Sequence, residues 1–234
     1  MTMPNSTILG VLFDLDGTLV DTAPDLVAAL NLALHDFDYP SVALEDVRDA
    51  ASNGSLALIT AAQPTLNAKR KAELQQALLT HYQRINGDHA RLFDGITEVL
   101  HYLMDNGIAF GVVTNKAARF ARPLLATLRL GQQPLIDYMS SIISGDTTTQ
   151  GKPAAAPMLL AAQQLGCHAH NIIYIGDARR DLEAAQNSHM VGAIAMWGYI
   201  AADDNPTHWP HQVRFDKPQA IIDFMTQASV SHYA

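Results

Sequence analysis

Two aspartates two residues apart, Asp14 and Asp16, end an apolar run and are followed by Gly17 and Thr18 in GVLFDLDGTLVDT. Further on, GVVTNK carries Thr114 and Asn115, and GKP carries Lys152. YIGDARRD carries Asp177 and, four residues later, Asp181. Carboxylates brought together repel one another and resist ionising together, so a cluster of them needs a cation. An all-oxygen set without a Cys/His cluster suits a hard ion, and magnesium is the expected one. Lys152 and the hydroxyl and backbone donors around Thr18, Thr114 and Asn115 suit an anion with several oxygens. A hard cation beside such donors describes a phosphoryl-transfer site.

Taken singly, each residue has an ordinary explanation. An aspartate at a strand end commonly caps a helix or forms a turn. Asp21 is read that way, and Asp94 as the cap of the helix near Ile96. Asp181 alone would cap the helix through Leu182 and Ala185, Lys152 alone would be a solvated lysine, and Thr114-Asn115 a turn. The combination is different. D-x-D-G-T arises by chance on the order of once in a thousand chains of this length, and every other piece follows an apolar run of its own.

Those runs are the elements that must position the site. Ile8–Phe13, Ile108–Val113, Ser141–Ile143 and Ile172–Ile175 read as buried strands, with Val191–Met196 as a fifth. They are nearly all apolar, as parallel strands covered on both faces should be. Helical periods lie between them. Ile96, Val99, Leu100 and Leu103 mark one face, and Met158, Ala161, Ala162 and Leu165 another. Asn106-Gly107 supplies a left-handed stop after the first of these helices. Alternation of this kind predicts an α/β protein with a doubly wound, parallel, Rossmann-like sheet. Ligands bind such sheets beyond the carboxyl ends of the strands, where these polar residues fall.

One stretch breaks the alternation. From about Ala23 to Arg91 there are helical periods, such as Leu26, Ala29, Leu30, Ala33, Leu34 and Phe37, and then Leu74, Ala77, Leu78, His81 and Tyr82. No strand is evident there. The expectation is a core of residues 1–22 and 92–234 with a small all-helical cap, 23–91, inserted after the first strand. Its polar, glycine-containing break, Ser52-Asn53-Gly54-Ser55, is the candidate reader of the substrate, with Asn53, Gly54 and Ser55 as donors; an ordinary helix–helix turn is the other reading.

Composition narrows the function. A net charge of −8 argues against a nucleic-acid or anionic-membrane partner. The single cysteine, Cys167, excludes an intrachain disulfide and reads as a small buried residue. MTMPNST lacks a leader pattern and no segment reaches membrane length, so a cytoplasmic protein is expected. Lys116, Arg119 and Arg122 read as a solvated helix face, Arg119 being the one able to reach an anionic substrate. Of Arg179 and Arg180, one would screen the acids. His168 and His170 read as a solvated loop, and the polar, aromatic tail DDNPTHWPHQV has no assigned role.

On Asp14-Leu15-Asp16-Gly17-Thr18, Thr114-Asn115, Lys152-Pro153 and Gly176-Asp177 through Asp181, the chain resembles the haloacid dehalogenase (HAD) superfamily of phosphatases. FDLDGTLVDTAPDL and GVVTNK resemble its phosphoglycolate phosphatase group. LFDGI, GVVTNKAARFARPLL and the tail WGYIAADDNPTHW resemble bacterial N-acetylmuramic acid 6-phosphate phosphatases. The lysine motif continues Pro153-Ala154-Ala155, where the family has Lys-Pro-Asp-Pro or close to it. The resemblance implies a HAD-like core and a magnesium-dependent phosphatase of a small phosphorylated metabolite. It implies Asp14 as the nucleophile that becomes an aspartyl-phosphate and Asp16 as the general acid and base. It puts magnesium on Asp14, the Asp16 carbonyl and Asp177, with Asp181 behind them orienting a water. Thr114, Asn115 and Lys152 would hold the phosphate. A sugar-phosphate mutase would share these core residues. A phospho-aspartate switch is the alternative from another class, and the helical insertion argues against it. Oligomeric state is left open.

Overall fold

The structure, a computed structural model, describes residues 7–230. The N-terminal MTMPNS, on which the expectation of no leader rests, lies outside the described residues. Strand β1 (Gly10–Phe13) is buried throughout. The chain then makes a two-residue strand, β2 (Val20–Asp21), and runs through α1 (Ala23–Asp36), α2 (Leu44–Val47), α3 (Ser55–Ala62) and α4 (Ala68–Ile85). It returns as β3 (Arg91–Leu92), which pairs antiparallel with β2, Asp21 opposite Arg91. Helices and strands then alternate: α5 (Ile96–Asp105), β4 (Ala109–Val113), α6 (Ala118–Thr127), the hairpin β5 (Arg129–Leu130) and β6 (Gln133–Pro134), β7 (Ser141–Ile143), α7 (Ala155–Leu165), β8 (Ile172–Gly176), α8 (Arg179–Asn187), β9 (Val191–Ala195), β10 (Val213–Phe215) and α9 (Gln219–Val230).

Six strands form one sheet in the order β10-β9-β8-β1-β4-β7, and every pairing in it is parallel. The sheet is covered on both faces, and β1 shows how. Val11 and Phe13 pack into the cluster that takes Leu100 of α5, Leu124 of α6 and Ile221 of α9. Leu12, pointing the other way, packs with Met158 of α7 and Ala184 of α8. Side chains alternate across a strand, so a continuous apolar run serves two helical layers at once. Each large side chain so buried contributes roughly 1.5–3 kcal/mol. The doubly wound α/β sheet expected from the sequence is the fold observed.

Helices α1 to α4 build an apolar cluster of their own. Leu26, Leu30 and Leu34 of α1 meet Leu58 and Ile59 of α3 and Leu74, Leu78 and Tyr82 of α4. Phe120 and Tyr199 join that cluster from elsewhere in the chain. The start of α1 is tied to the return strand. Asp25 is fully buried, and its carboxylate accepts from the backbone N–H of Gly87 (2.8 Å), His89 (2.8 Å) and Ala90 (3.1 Å).

Several local expectations need correction. Asp94 does not cap the helix at Ile96. The N-cap is Gly95, at φ +90°, and no side chain bonds there. Asp21 is neither cap nor turn; it lies in β2 and accepts from Arg48 and Tyr199. Cys167 is half-buried rather than buried. Strands β2, β3, β5 and β6 have two residues each, too few to show a period, and β10 sets exposed Arg214 between Val213 and Phe215 instead of a continuous apolar run.

Candidate active site

Strand β1 delivers the residue that follows it, Asp14, to the carboxyl edge of the sheet. The Asp14 N–H donates to the Ile175 carbonyl (2.8 Å), so its backbone continues the ladder and its carboxylate is held buried. Lys152 reaches it from the loop after β7. Its ammonium lies 2.7 Å from Asp14 Oδ1 and 2.8 Å from Asp181 Oδ1, and donates to the Tyr174 hydroxyl at 2.8 Å. Two carboxylates and a hydroxyl thus surround a buried ammonium, and pairing of this kind is what lets a lysine stay charged there. Asn115 pins the loop that delivers it. Its Oδ1 accepts from the Lys152 N–H (2.8 Å) and its Nδ2 donates to the Lys152 carbonyl (3.0 Å). The Asn115 side chain is thereby committed to the lysine loop. The Lys152–Pro153 peptide bond is cis.

Asp14, Asp177 and Asp181 each present an oxygen, and these oxygens lie within 4.8 Å of one another. Burial, with Asp181 beside it, pushes Asp14 up to about 6, although Lys152 and Arg180 pull the other way. Burial, with Asp14 and Asp181, pushes Asp177 up to about 7. Carboxyls this crowded hold protons near neutrality unless another cation takes their place. The donor set is all oxygen and fits a hard divalent ion. Asp181 is fully buried behind the lysine. Its Oδ1 faces Lys152, and its Oδ2 accepts from the Ala178 N–H (3.0 Å) at the start of α8. The helix-capping role and a place in the cluster are therefore one arrangement.

Asp177 accepts from Thr18 Oγ1 (2.9 Å), Ser52 Oγ (2.6 Å) and the Tyr199 N–H (2.9 Å). Room for it comes from two glycines. A Cβ on Gly17, at φ +83°, would overlap the Asp177 carboxylate, and one on Gly198 would overlap Asp177 and the Gly17 carbonyl. Asp16 faces differently. Its Oδ1 accepts from Thr22 Oγ1 (2.5 Å) and lies 2.8 Å from Lys116 Nζ. Burial opposes the charge on Lys116, but Asp16 and Tyr82 outweigh it and raise the ammonium above its ordinary value. The same ammonium sits 4.6 Å above the centre of the Tyr82 ring, on α4. Thr114 is buried at the end of β4, and its hydroxyl accepts from the Lys116 N–H (3.1 Å).

A cavity of about 460 Å³ opens over Asp14 and Asp16. Thr114, Asn115 and Lys116 line it from the sheet side, and Ser52, Asn53, Gly54 and Ser55 from the helical side. The break read as a substrate reader is thus brought to the strand ends. Arg180 joins the two sides, donating to the Ser52 carbonyl (2.6 Å) and Asn53 Oδ1 (3.0 Å).

Buried acids around a lysine at a sheet's carboxyl edge can be compared with known proteins. The family model for haloacid dehalogenase-like hydrolases matches residues 11–195. The chain belongs to that family. Among relatives of this HAD hydrolase, a phosphoglycolate phosphatase of Xanthomonas campestris pv. campestris is 37% identical over 211 residues, covering 90% of this chain and 93% of its own. An N-acetylmuramic acid 6-phosphate phosphatase of Pseudomonas aeruginosa is 36% identical over 227 residues, covering 97% and 98%. A crystal structure titled as a predicted phosphoglycolate phosphatase, from Haemophilus somnus 129pt, superposes with a TM-score of 0.79 at 24% identity, covering 94% of this chain and 98% of its own. These relatives make the HAD hydrolase a phosphatase. Among the described residues, no helix is long and apolar enough to cross a membrane.

Several working residues were not legible beforehand. Lys116 is no solvated lysine; it is an ion-pair partner of Asp16. Arg180 is the arginine that screens the acids, whereas Arg179 is exposed and pairs with Glu183 (2.8 Å). Arg119 lines the cavity and Arg122 does not. His168 and His170 stack on each other, ring centres 5.6 Å apart. The tail matters most. Trp197 Nε1 donates to the Thr18 carbonyl (2.9 Å), and the Tyr199 hydroxyl donates to Asp21 (2.7 Å) while accepting from the N–H of Thr22 (2.7 Å) and Ala23 (2.9 Å). The WGY cluster was the signal, but nothing local says which strand end it covers.

Proposed function

We propose that this phosphatase is magnesium-dependent and removes phosphate from a small carboxylated metabolite through an aspartyl-phosphate on Asp14, with N-acetylmuramic acid 6-phosphate preferred over phosphoglycolate. The observation that carries the preference is the 460 Å³ cavity, a size suited to drug-sized ligands (~300–1,000 Å³) and far more than phosphoglycolate would fill. Residues 23–91 act as a cap on a core of 1–22 and 92–234, and Asn53, Gly54 and Ser55 face the leaving group. The catalytic metal, held by Asp14, Asp177 and the Asp16 carbonyl with Asp181 behind, neutralises charge on the phosphoryl oxygens when bound.

Asp14 attacks phosphorus, an O–P bond forms, and the ester P–O bond breaks as Asp16 gives its proton to the leaving alkoxide. Water then attacks the phosphorus of the aspartyl-phosphate. Asp16 takes the proton from that water, and the Asp14–phosphate bond breaks to free phosphate. Lys152 and Thr114 hold the phosphoryl oxygens while charge shifts between them, and Asn115 keeps Lys152 in place.

The test is phosphate release, with magnesium, from the two esters side by side, with Asp14→Asn as the blank. The amino-sugar ester should lead in kcat/KM by at least about tenfold, and the blank should be slower by about a thousandfold or more. Preference for phosphoglycolate would reverse the leaving-group assignment. Equal release by Asp14→Asn would remove the aspartyl-phosphate.

A further inference from the structure

Three cationic side chains line the cavity, and two are committed elsewhere. Lys116 is paired with Asp16, and Arg180 is bonded to Ser52 and Asn53. The third is Arg119, the second residue of α6. It is exposed and enters none of the ion pairs among the described residues. Its guanidinium carbon lies 4.7 Å from the centre of the Phe120 ring, and Phe120 is itself buried in the cavity wall. A guanidinium resting on a ring still has N–H donors to give, and its planar fork matches a carboxylate in two places. Among the other lining residues, Leu26 and Leu79 offer an anion nothing, and Tyr82 carries a hydroxyl but no charge. The phosphoryl end is served by Lys152, beside Asp14, so an uncommitted cation on the cavity wall calls for a second anionic group.

We infer that Arg119 reads a carboxylate on the leaving group and so sets the substrate class as phosphate monoesters that carry a second anion. This rests on the phosphatase reading above but not on which ester is preferred. Two substrate pairs separate the issues. N-acetylmuramic acid 6-phosphate differs from N-acetylglucosamine 6-phosphate by its carboxylate-bearing lactyl group, and phosphoglycolate differs from ethyl phosphate by its carboxylate. For each pair the readout is the ratio of kcat/KM, with and without the carboxylate, in the unsubstituted protein, Arg119→Met and Arg119→Lys. The expected result is a carboxylate preference that Arg119→Met cuts by about tenfold or more, chiefly through KM of the carboxylated member, and that Arg119→Lys restores in part. Equal losses on both members of a pair, or an unmoved ratio, would overturn the inference. So would the absence of any carboxylate preference in the unsubstituted protein. Turnover of the glycolate pair alone would overturn the amino-sugar reading, and Arg119 would then be judged on that pair by the same ratio.

Discussion

At the carboxyl edge of the sheet, the Lys152 ammonium lies against Asp14, Asp181 and Tyr174, and none of these groups is exposed. Ser52 and Asn53, at the end of a 3-10 helix (Arg48–Asn53), meet the same site through one hydroxyl, one carbonyl and one amide, and Asn53 is exposed. Both regions touch Asp177 or its neighbours, yet they are held differently. The strand ends are fixed by the backbone ladder and by two helical layers. The helices α1 to α4 have their own apolar cluster and lean on the sheet through a few polar contacts and the side chains of Phe120 and Tyr199. The lesson is one of division. The crowded charge sits on strand ends held by the backbone ladder, and on the reading proposed above the selection of the leaving group falls to the separately packed helices.

The sharpest way to break that division is at Asp177. Asp177→Asn keeps the shape but removes a charge from the cluster and puts an NH2 where one accepting oxygen stood. Phosphate release should fall by at least about a hundredfold, with far more magnesium needed to recover it. An enzyme that kept its rate would show that the strand-end acids do not carry the chemistry.

A second prediction follows from the raised carboxyls. With chelator present, folded Asp14 and Asp177 retain protons up to about pH 6 and about pH 7, whereas the unfolded chain releases them near the ordinary 3.8. The stability they contribute is complete below about pH 4 and is lost as pH rises through about 6 to 7. Magnesium competes with those protons. Its effect on Tm should therefore be larger at about pH 8 than at about pH 5, by several degrees for a saturating ion. A gain independent of pH would remove the acid cluster as the cation site.

The smallest expected effect sharpens the comparison at its hinge. The Tyr199 hydroxyl bonds Asp21, Thr22 and Ala23, where the chain leaves the core for α1. Burial first, and then the Asp21 charge, drive its pKa well above the ordinary value, so it stays a neutral donor. Tyr199→Phe leaves two backbone N–H groups and one carboxylate oxygen without it, which costs about 1–3 kcal/mol. In a chain of this size Tm should drop by about 2–10 °C. A melting curve unchanged by the substitution would show that α1 needs no tether from the tail.

The sequence by itself determined the alternation of strands and helices, the α/β class, the helical stretch after β1, and the four motifs that end at the sheet's edge. These are local or periodic facts, because a buried strand must be apolar on both sides and its polar successor must fall at the edge. Packing alone decided the rest. Lys116 turns inward only because Asp16 and Tyr82, 100 and 34 residues away along the chain, meet it in space. Tyr199 reaches the start of α1 from the far end of the chain, 177 residues on. Arg179 and Arg180 are adjacent in sequence, and the turn of α8 sends one to solvent and the other across to Ser52. No period or propensity carries such information, since partners that meet only after the chain is folded leave no mark on the residues beside them.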